Sequence, residues 1–223
     1  YGRRPNDNLL IDYGFSMMDN MWDKIDLPMR VLRDDPLFLE KSAILHELRL
    51  PCIHTYRVCS MNFPFNALEY ARLVVLDEQD FALLVQASSK VPVAEVVAHI
   101  ISRSNETLAL QYIQRNLFLF LNEHETTVTQ DKQELETYGT GFNRKVCALT
   151  YRLTRKNIAV KVIDKIVTIQ GALLLRDSTS SSRAPEARAA YVTKLLDGVA
   201  QNDIDEKMQM EHDAYVEELL NLE

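Results

Sequence analysis

The sequence predicts a mainly α-helical protein with a short β segment near its start. Three observations carry this. From Asp35 onward apolar residues recur at three- and four-residue steps, the period of a helix with one buried face. The stretch from Phe142 to Arg176 runs for more than thirty residues without proline. Strand character is read in two short runs, Asn8 to Tyr13 after a turn and Ile53 to Met61, where residues alternate with a period near two.

The first segment, YGRRPNDNLLIDYGF, reads as a turn built from Pro5, Asn6 and Asp7, followed by a strand over 8–13. Gly14 permits a sharp bend directly after Tyr13. On a strand, Ile11 and Tyr13 share one face. In DDPLFLEKSAILHELRL, Asp35 is placed to cap a helix and Pro36 to open it, with Leu37, Ile44, Leu45 and Leu48 near one side. IHTYRVCSM (53–61) alternates as a short strand or extended connection. Pro64 opens a helix through NALEYARLVVL, and FALLVQA continues in helical character.

SRSNETLALQYIQRNLFLFLNE is the best-defined helix. Ser102 or Ser104 offers a cap, Glu106 sits in the first turn where the helix dipole favours an anion, and Ala109, Ile113, Leu117 and Phe120 form a face that must be buried. Thr129 is read as a cap for the next helix, broken at Gly139 and Gly141. The 142–176 run, with Val146, Leu149, Leu153, Val160, Ile163, Val167 and Leu174 apolar, is one long helix or two joined near Thr154. DSTSSSRAP, closed by Pro185, is a linker. Beyond it, two amphipathic helices carry apolar stripes thin enough to predict weak packing. No fixed-period repeat is present, so a solenoid is not indicated.

Composition narrows function. With 47% hydrophobic and 26% charged residues over 223 positions, the chain can build one large domain. No run approaches the roughly 18 apolar residues of a membrane-spanning helix, and the start does not have the pattern of a signal peptide. Cys52, Cys59 and Cys147 form no C-x-x-C pair and read as reduced thiols. Residues 202–223 hold eight acidic groups against the single Lys207, equal to the whole net charge of −7. The remainder is balanced and has no basic stripe, which argues against nucleic acid as a partner. Dinucleotide, P-loop, zincin and serine-hydrolase motifs are absent, and the five histidines are scattered, so no metal set is predicted.

The opening stretch carries a resemblance. Tyr1, Gly2, Asn6, Leu9, Leu10, Tyr13, Gly14 and Phe15 fill the fixed places of a Y-G-x-x-x-N-x-x-L-L-x-x-Y-G-F pattern. That pattern closes the SET domain of protein-lysine methyltransferases in the Rubisco large-subunit methyltransferase branch. SRSNETLALQYI, HETTVTQDKQEL and FNRKVCALTYRLTRKNI also resemble the helical substrate-binding domain that follows it. The resemblance covers about residues 1–176.

It implies a helical substrate-binding domain preceded by a short β remnant of a SET domain. The expected division is 1–21 for the end of the catalytic domain and 22–176 for the substrate-binding domain, then 177–185 as linker and 186–223 as an acidic helical extension. Tyr13 matches the family's active-site tyrosine, whose hydroxyl aligns the nucleophile and stabilises developing charge. Ile11 and Phe15 fall in the substrate-lysine channel. An aliphatic Ile11 cannot hold an ordered water there, so more than one methyl group is expected to be added.

S-adenosylmethionine is the implied cofactor of the intact protein. Nothing in the chain resembles the family's Asn-His motif or cofactor-binding glycines, so this piece alone is expected to bind no cofactor and to be inactive. The implied partner is a protein carrying a target lysine, in cytoplasm, nucleus or plastid. Phe63, Phe65 and Phe142 are candidates for a docking surface, with buried packing as the competing reading of each. The rival functional reading is a non-enzymatic helical interaction module derived from this family.

Overall fold

In the computed structural model, which describes residues 2–139, 143–175, 214, 215 and 217–219, the chain is mainly helical around one small sheet. Tyr1, Phe142 and the expected linker at 177–185 lie outside the described residues, as does most of the 186–223 extension.

The sheet pairs β1 (Ile25–Arg30) with β2 (Ile53–Val58) in antiparallel register, Ile25 opposite Val58 and Arg30 opposite Ile53. The second strand was expected from its alternation. β1 was not assigned, although IDLPMR alternates in the same way: Ile25, Leu27 and Met29 are buried while Asp26, Pro28 and Arg30 face outward. Pro28, which cannot donate to a ladder, is tolerated because a two-stranded sheet has only edges. Tyr112 fastens one end of β1, its hydroxyl accepting from the Arg30 N–H (3.0 Å) and lying 3.1 Å from the Arg30 carbonyl.

The strand expected over 8–13 is instead α1 (Asn6–Tyr13). Asn6 and Leu9 are its buried residues, and their spacing of three is one that only a helix brings to one side. Gly14 ends it in the left-handed conformation (φ 76°), its N–H bonding the Leu10 carbonyl, so the bend expected after Tyr13 is present. The consequence for the site is direct: residues two apart on a helix diverge by about 200°, and Ile11 and Tyr13 do not share a face.

Up to residue 175 the described helices that follow are α2 (Phe38–Glu47), α3 (Phe65–Val74), α4 (Glu78–Ser88), α5 (Val93–Ala98), α6 (Arg103–Asn122), α7 (Val128–Tyr138) and α8 (Arg144–Leu175). α2 begins later than Pro36. Asp35 is not its cap; its carboxylate accepts from the Leu37 N–H (2.9 Å) and pairs with the buried Lys41 ammonium at 2.7 Å. Asp77 caps α4 through the Asp80 N–H, and Ser102 caps α6 through the Asn105 N–H. α7 is capped by Thr127 rather than Thr129. Thr127 and Gln130 form a reciprocal capping box, and only Thr127 has a glutamine three residues on.

α8 is one unbroken helix. Its buried face runs through Ile158, Ala159, Val162, Ile166, Ile169 and Leu173, whereas Val167 and Leu174, expected in the stripe, are exposed. α6 packs on both α3 and α8, α7 lies along α8, and α1 touches α8. The core between them takes in Ala109, Ile113 and Leu117 as expected. It also takes in Tyr215 and Leu219 of the 186–223 extension. The three cysteines are free thiols, Cys147 buried. No helix among the described residues is long and apolar enough to cross a membrane.

Candidate functional site

Tyr13 is the last residue of α1 and is 46% exposed. Its ring lies 6.2 Å from that of Phe15, tilted by 46°, and the Arg4 guanidinium sits 5.5 Å from the Tyr13 centroid. Arg4 is itself held by Asp12 at 2.8 Å. The structure therefore brings Tyr13 and Phe15 together. Ile11, 83% exposed, is on another side of the helix and does not join them. Met17, Met18 and Trp22 in the same segment also expose large apolar groups, Trp22 under the Arg3 guanidinium at 4.7 Å.

Asn6 holds this segment in place. Its N–H donates to Asp23 Oδ1 (3.0 Å), and its amide nitrogen lies within 3.2 Å of the Met17 carbonyl, Asp23 Oδ2 and the Thr154 hydroxyl. Its amide oxygen accepts from the Met17 N–H and from the Asn20 side chain. One wholly buried residue thus ties α1 to the 17–23 loop and to α8. A side chain added at Gly2 or Gly14 would meet no atom, so the two glycines are required by backbone conformation (φ 72° and 76°) rather than by a close approach.

Two buried ionic clusters lie elsewhere. Arg72 on α3 and Glu106 on α6, 1% and 0% exposed, form a bidentate pair (2.7 and 3.2 Å), and Arg72 also donates to the Val97 and Ala98 carbonyls. The Tyr215 hydroxyl bonds Glu106 Oε1. Burial first, then the neighbouring Glu106 carboxylate, push the Tyr215 hydroxyl well above its ordinary range. The second cluster joins Asp131 to Lys156 (2.7 Å) and to Arg152 (2.5 Å). Burial alone would raise the Asp131 carboxyl, but hydrogen bonds from Arg152, Lys156 and Thr126 together hold it below the usual range. Both clusters join helices, α3 to α6 and α7 to α8; in the second, Arg152 Nε is buried without a hydrogen-bond partner.

Phe63 and Phe65 take the buried reading: both pack into the core, and the Tyr215 ring of the same chain lies against them. The Tyr215 ring stacks on Phe63 (6.2 Å, 13°) and meets Phe65 edge-on (5.4 Å, 74°). His99 at the rim contacts Glu218 through Nδ1 at 2.5 Å. Sequence reasoning missed this seat. The available signal was the spacing of Tyr215 and Leu219, four apart, within the acidic stretch. An open, mainly apolar hollow of about 340 Å³ lies beside it, between α4 and α5, lined by Leu83, Val91, Val96 and His99 among others. No group of three or more potential metal ligands occurs among the described residues.

The sequence profile of the Rubisco LSMT substrate-binding family matches residues 33–158. The chain belongs to this family. Within it, the chain is 26% identical over 168 residues to the actin-histidine N-methyltransferase of Gallus gallus, covering 73% of this chain and 28% of that protein. It is 21% identical over 228 residues to the enzyme of that name from Homo sapiens, covering 100% and 38%. The matched part of the chain thus spans 28–38% of the length of these relatives. Its fold is shared with solved structures of Rubisco LSMT. One is bound to sinefungin and monomethyllysine (TM-score 0.67, 21% identity, 83% of this chain and 43% of that one). Another is bound to AdoMet (TM-score 0.67, 19% identity, 94% and 46%). The matched span 33–158 takes in α2 to α7, the sheet's second strand and the first half of α8, while Tyr13 lies outside it.

Proposed function

We propose that the chain is the C-terminal part of an S-adenosylmethionine-dependent protein N-methyltransferase, and that its main task is to bind the protein substrate. Residues 1–21 would close the SET catalytic domain, 22–176 would form the substrate-binding domain, 177–185 a linker and 186–223 the acidic extension. The observation that carries this reading is the match of the substrate-binding family across residues 33–158. S-adenosylmethionine would supply the methyl group in the intact enzyme. The part played by this chain is to hold the target protein and to place Tyr13 at the acceptor.

Tyr13 suits that role as a positioned donor. Its hydroxyl does not have to lose a proton to orient an acceptor nitrogen; a fixed dipole at the reacting centre lowers the barrier without reorganisation. The half-exposed ring, beside Phe15 and the Arg4–Asp12 pair, sits on a segment whose other large apolar groups, Ile11, Met17, Met18 and Trp22, also reach the surface. Covering by catalytic-domain residues would bury them. With Ile11 turned away from Tyr13, its place in the lysine channel depends on that covering domain.

Lysine is the acceptor we favour, from the opening motif. A second reading, histidine, is favoured by the curated relatives, which are named actin-histidine N-methyltransferases. Mass spectrometry of proteins treated with the full-length enzyme and labelled S-adenosylmethionine separates the two by the residue that gains mass. Tyr13→Phe in that enzyme should lower methyl transfer by roughly 10²-fold, the scale for losing one positioned donor, with substrate-protein binding nearly unchanged. Undiminished transfer would remove Tyr13 from the reaction, and a full-length protein with no transfer at all would favour the interaction-module reading.

A further inference from the structure

We propose that the surface formed by Phe63, Phe65, Arg72, Glu106 and His99 is a binding site for a short acidic helix carrying Tyr and, four residues later, Leu. The chain's own C-terminal segment around 214–219 is its resident and exchangeable ligand.

The site is built before the ligand arrives. Arg72 and Glu106 neutralise each other through two contacts, and Arg72 is further anchored on the Val97 and Ala98 carbonyls. When the Tyr215 hydroxyl leaves Glu106, the carboxylate keeps both bonds to Arg72, so no buried charge is stranded. Phe63 and Phe65 lie 5.2 Å apart and contact each other edge-on, independently of their contacts with Tyr215. A preorganised seat of this kind binds a short segment with little reorganisation.

The ligand has matching chemistry. Tyr215 and Leu219 fall one helical turn apart, so both reach the core from one side while Glu217 is exposed and Glu218 reaches the rim. Glu218 meets His99 there, and the Arg72 guanidinium lies 5.9 Å from the Tyr215 centroid. The surrounding stretch, 202–223, carries a net −7. It joins α8 through 176–213, which contains the polar DSTSSSRAP and Pro185, a linker composition. Being covalently part of the same chain, the segment is supplied to the seat at high effective concentration.

The probe is a fluorescein-labelled peptide of residues 208–223, titrated by anisotropy into the full chain and into full-chain Tyr215→Ala/Leu219→Ala, whose seat is vacated. The vacated chain should bind the peptide at least about tenfold more tightly than the unmodified chain, where the tethered copy competes. Tyr215→Phe in the peptide should weaken binding about three- to tenfold, the value of one hydroxyl–carboxylate bond. Equal, negligible binding to both chains overturns the proposal, and so does a vacated chain that cannot fold, since the segment would then be integral core. Hydrogen exchange on the unmodified chain gives an independent reading. Amides at 214–219 should open well before those of α6 and α8; exchange only by global unfolding overturns the proposal.

Discussion

Asn6 shows how much one side chain can carry. In the sequence it is a turn former and one fixed place in the opening motif; in the structure it is buried and joins Met17, Asn20, Asp23 and Thr154. An asparagine suits this place because its amide presents donors and an acceptor at one point, which neither Asp nor Leu can do. Asn6→Ala removes those bonds and leaves the buried Asp23 carboxylate short of a partner. We expect a loss of about 2–4 kcal/mol in chemical denaturation. Because α1 ends at Tyr13, the same variant should also reduce methyl transfer by the full-length enzyme. Lys165 offers a contrast, since burial lowers its ammonium while the Ser60 and Met61 carbonyls, each at 3.0 Å, accept its hydrogens.

Among elements, the clamp between α7 and α8 is governed by charge. Asp131 is wholly buried and its folded pKa is depressed, so its contribution to stability is complete above the unfolded carboxyl value of about 3.9 and is lost as pH falls through the folded one. Acid titration followed by circular dichroism should therefore show a loss of stability below about pH 4. Asp131→Asn should flatten that acid limb, and at neutral pH cost about 3–5 kcal/mol, because Lys156 and Arg152 lose their buried counter-charge. Helices with strong local signals were legible, such as α6 with its Ser102 cap and the proline-free α8. α1 was not. A short run such as NLLIDY satisfies a strand pattern and a helix pattern almost equally, and only the burial of Asn6 and Leu9 together decides between them.

For the whole molecule, the Arg72–Glu106 pair joins α3 to α6 beneath the Tyr215 seat. Arg72→Ala should cost about 3–5 kcal/mol by thermal or chemical unfolding, since Glu106 would remain buried without a counter-ion. An Arg72→Met/Glu106→Met double replacement should recover much of that loss. From the sequence alone came the helical class, most helix spans, the second strand, the family and Tyr13 as the candidate chemical group. These rest on local periodicity, capping and motif spacing, which neighbouring residues encode. Only the tertiary structure decided that α1 is a helix, that Ile11 and Tyr13 part company, that Glu106, in the first turn of α6 as expected, also pairs with Arg72, and that Phe63 and Phe65 receive Tyr215. Each of these depends on groups separated by up to 150 or so positions along the chain, and the energy of such contacts appears only when folding removes both partners from water.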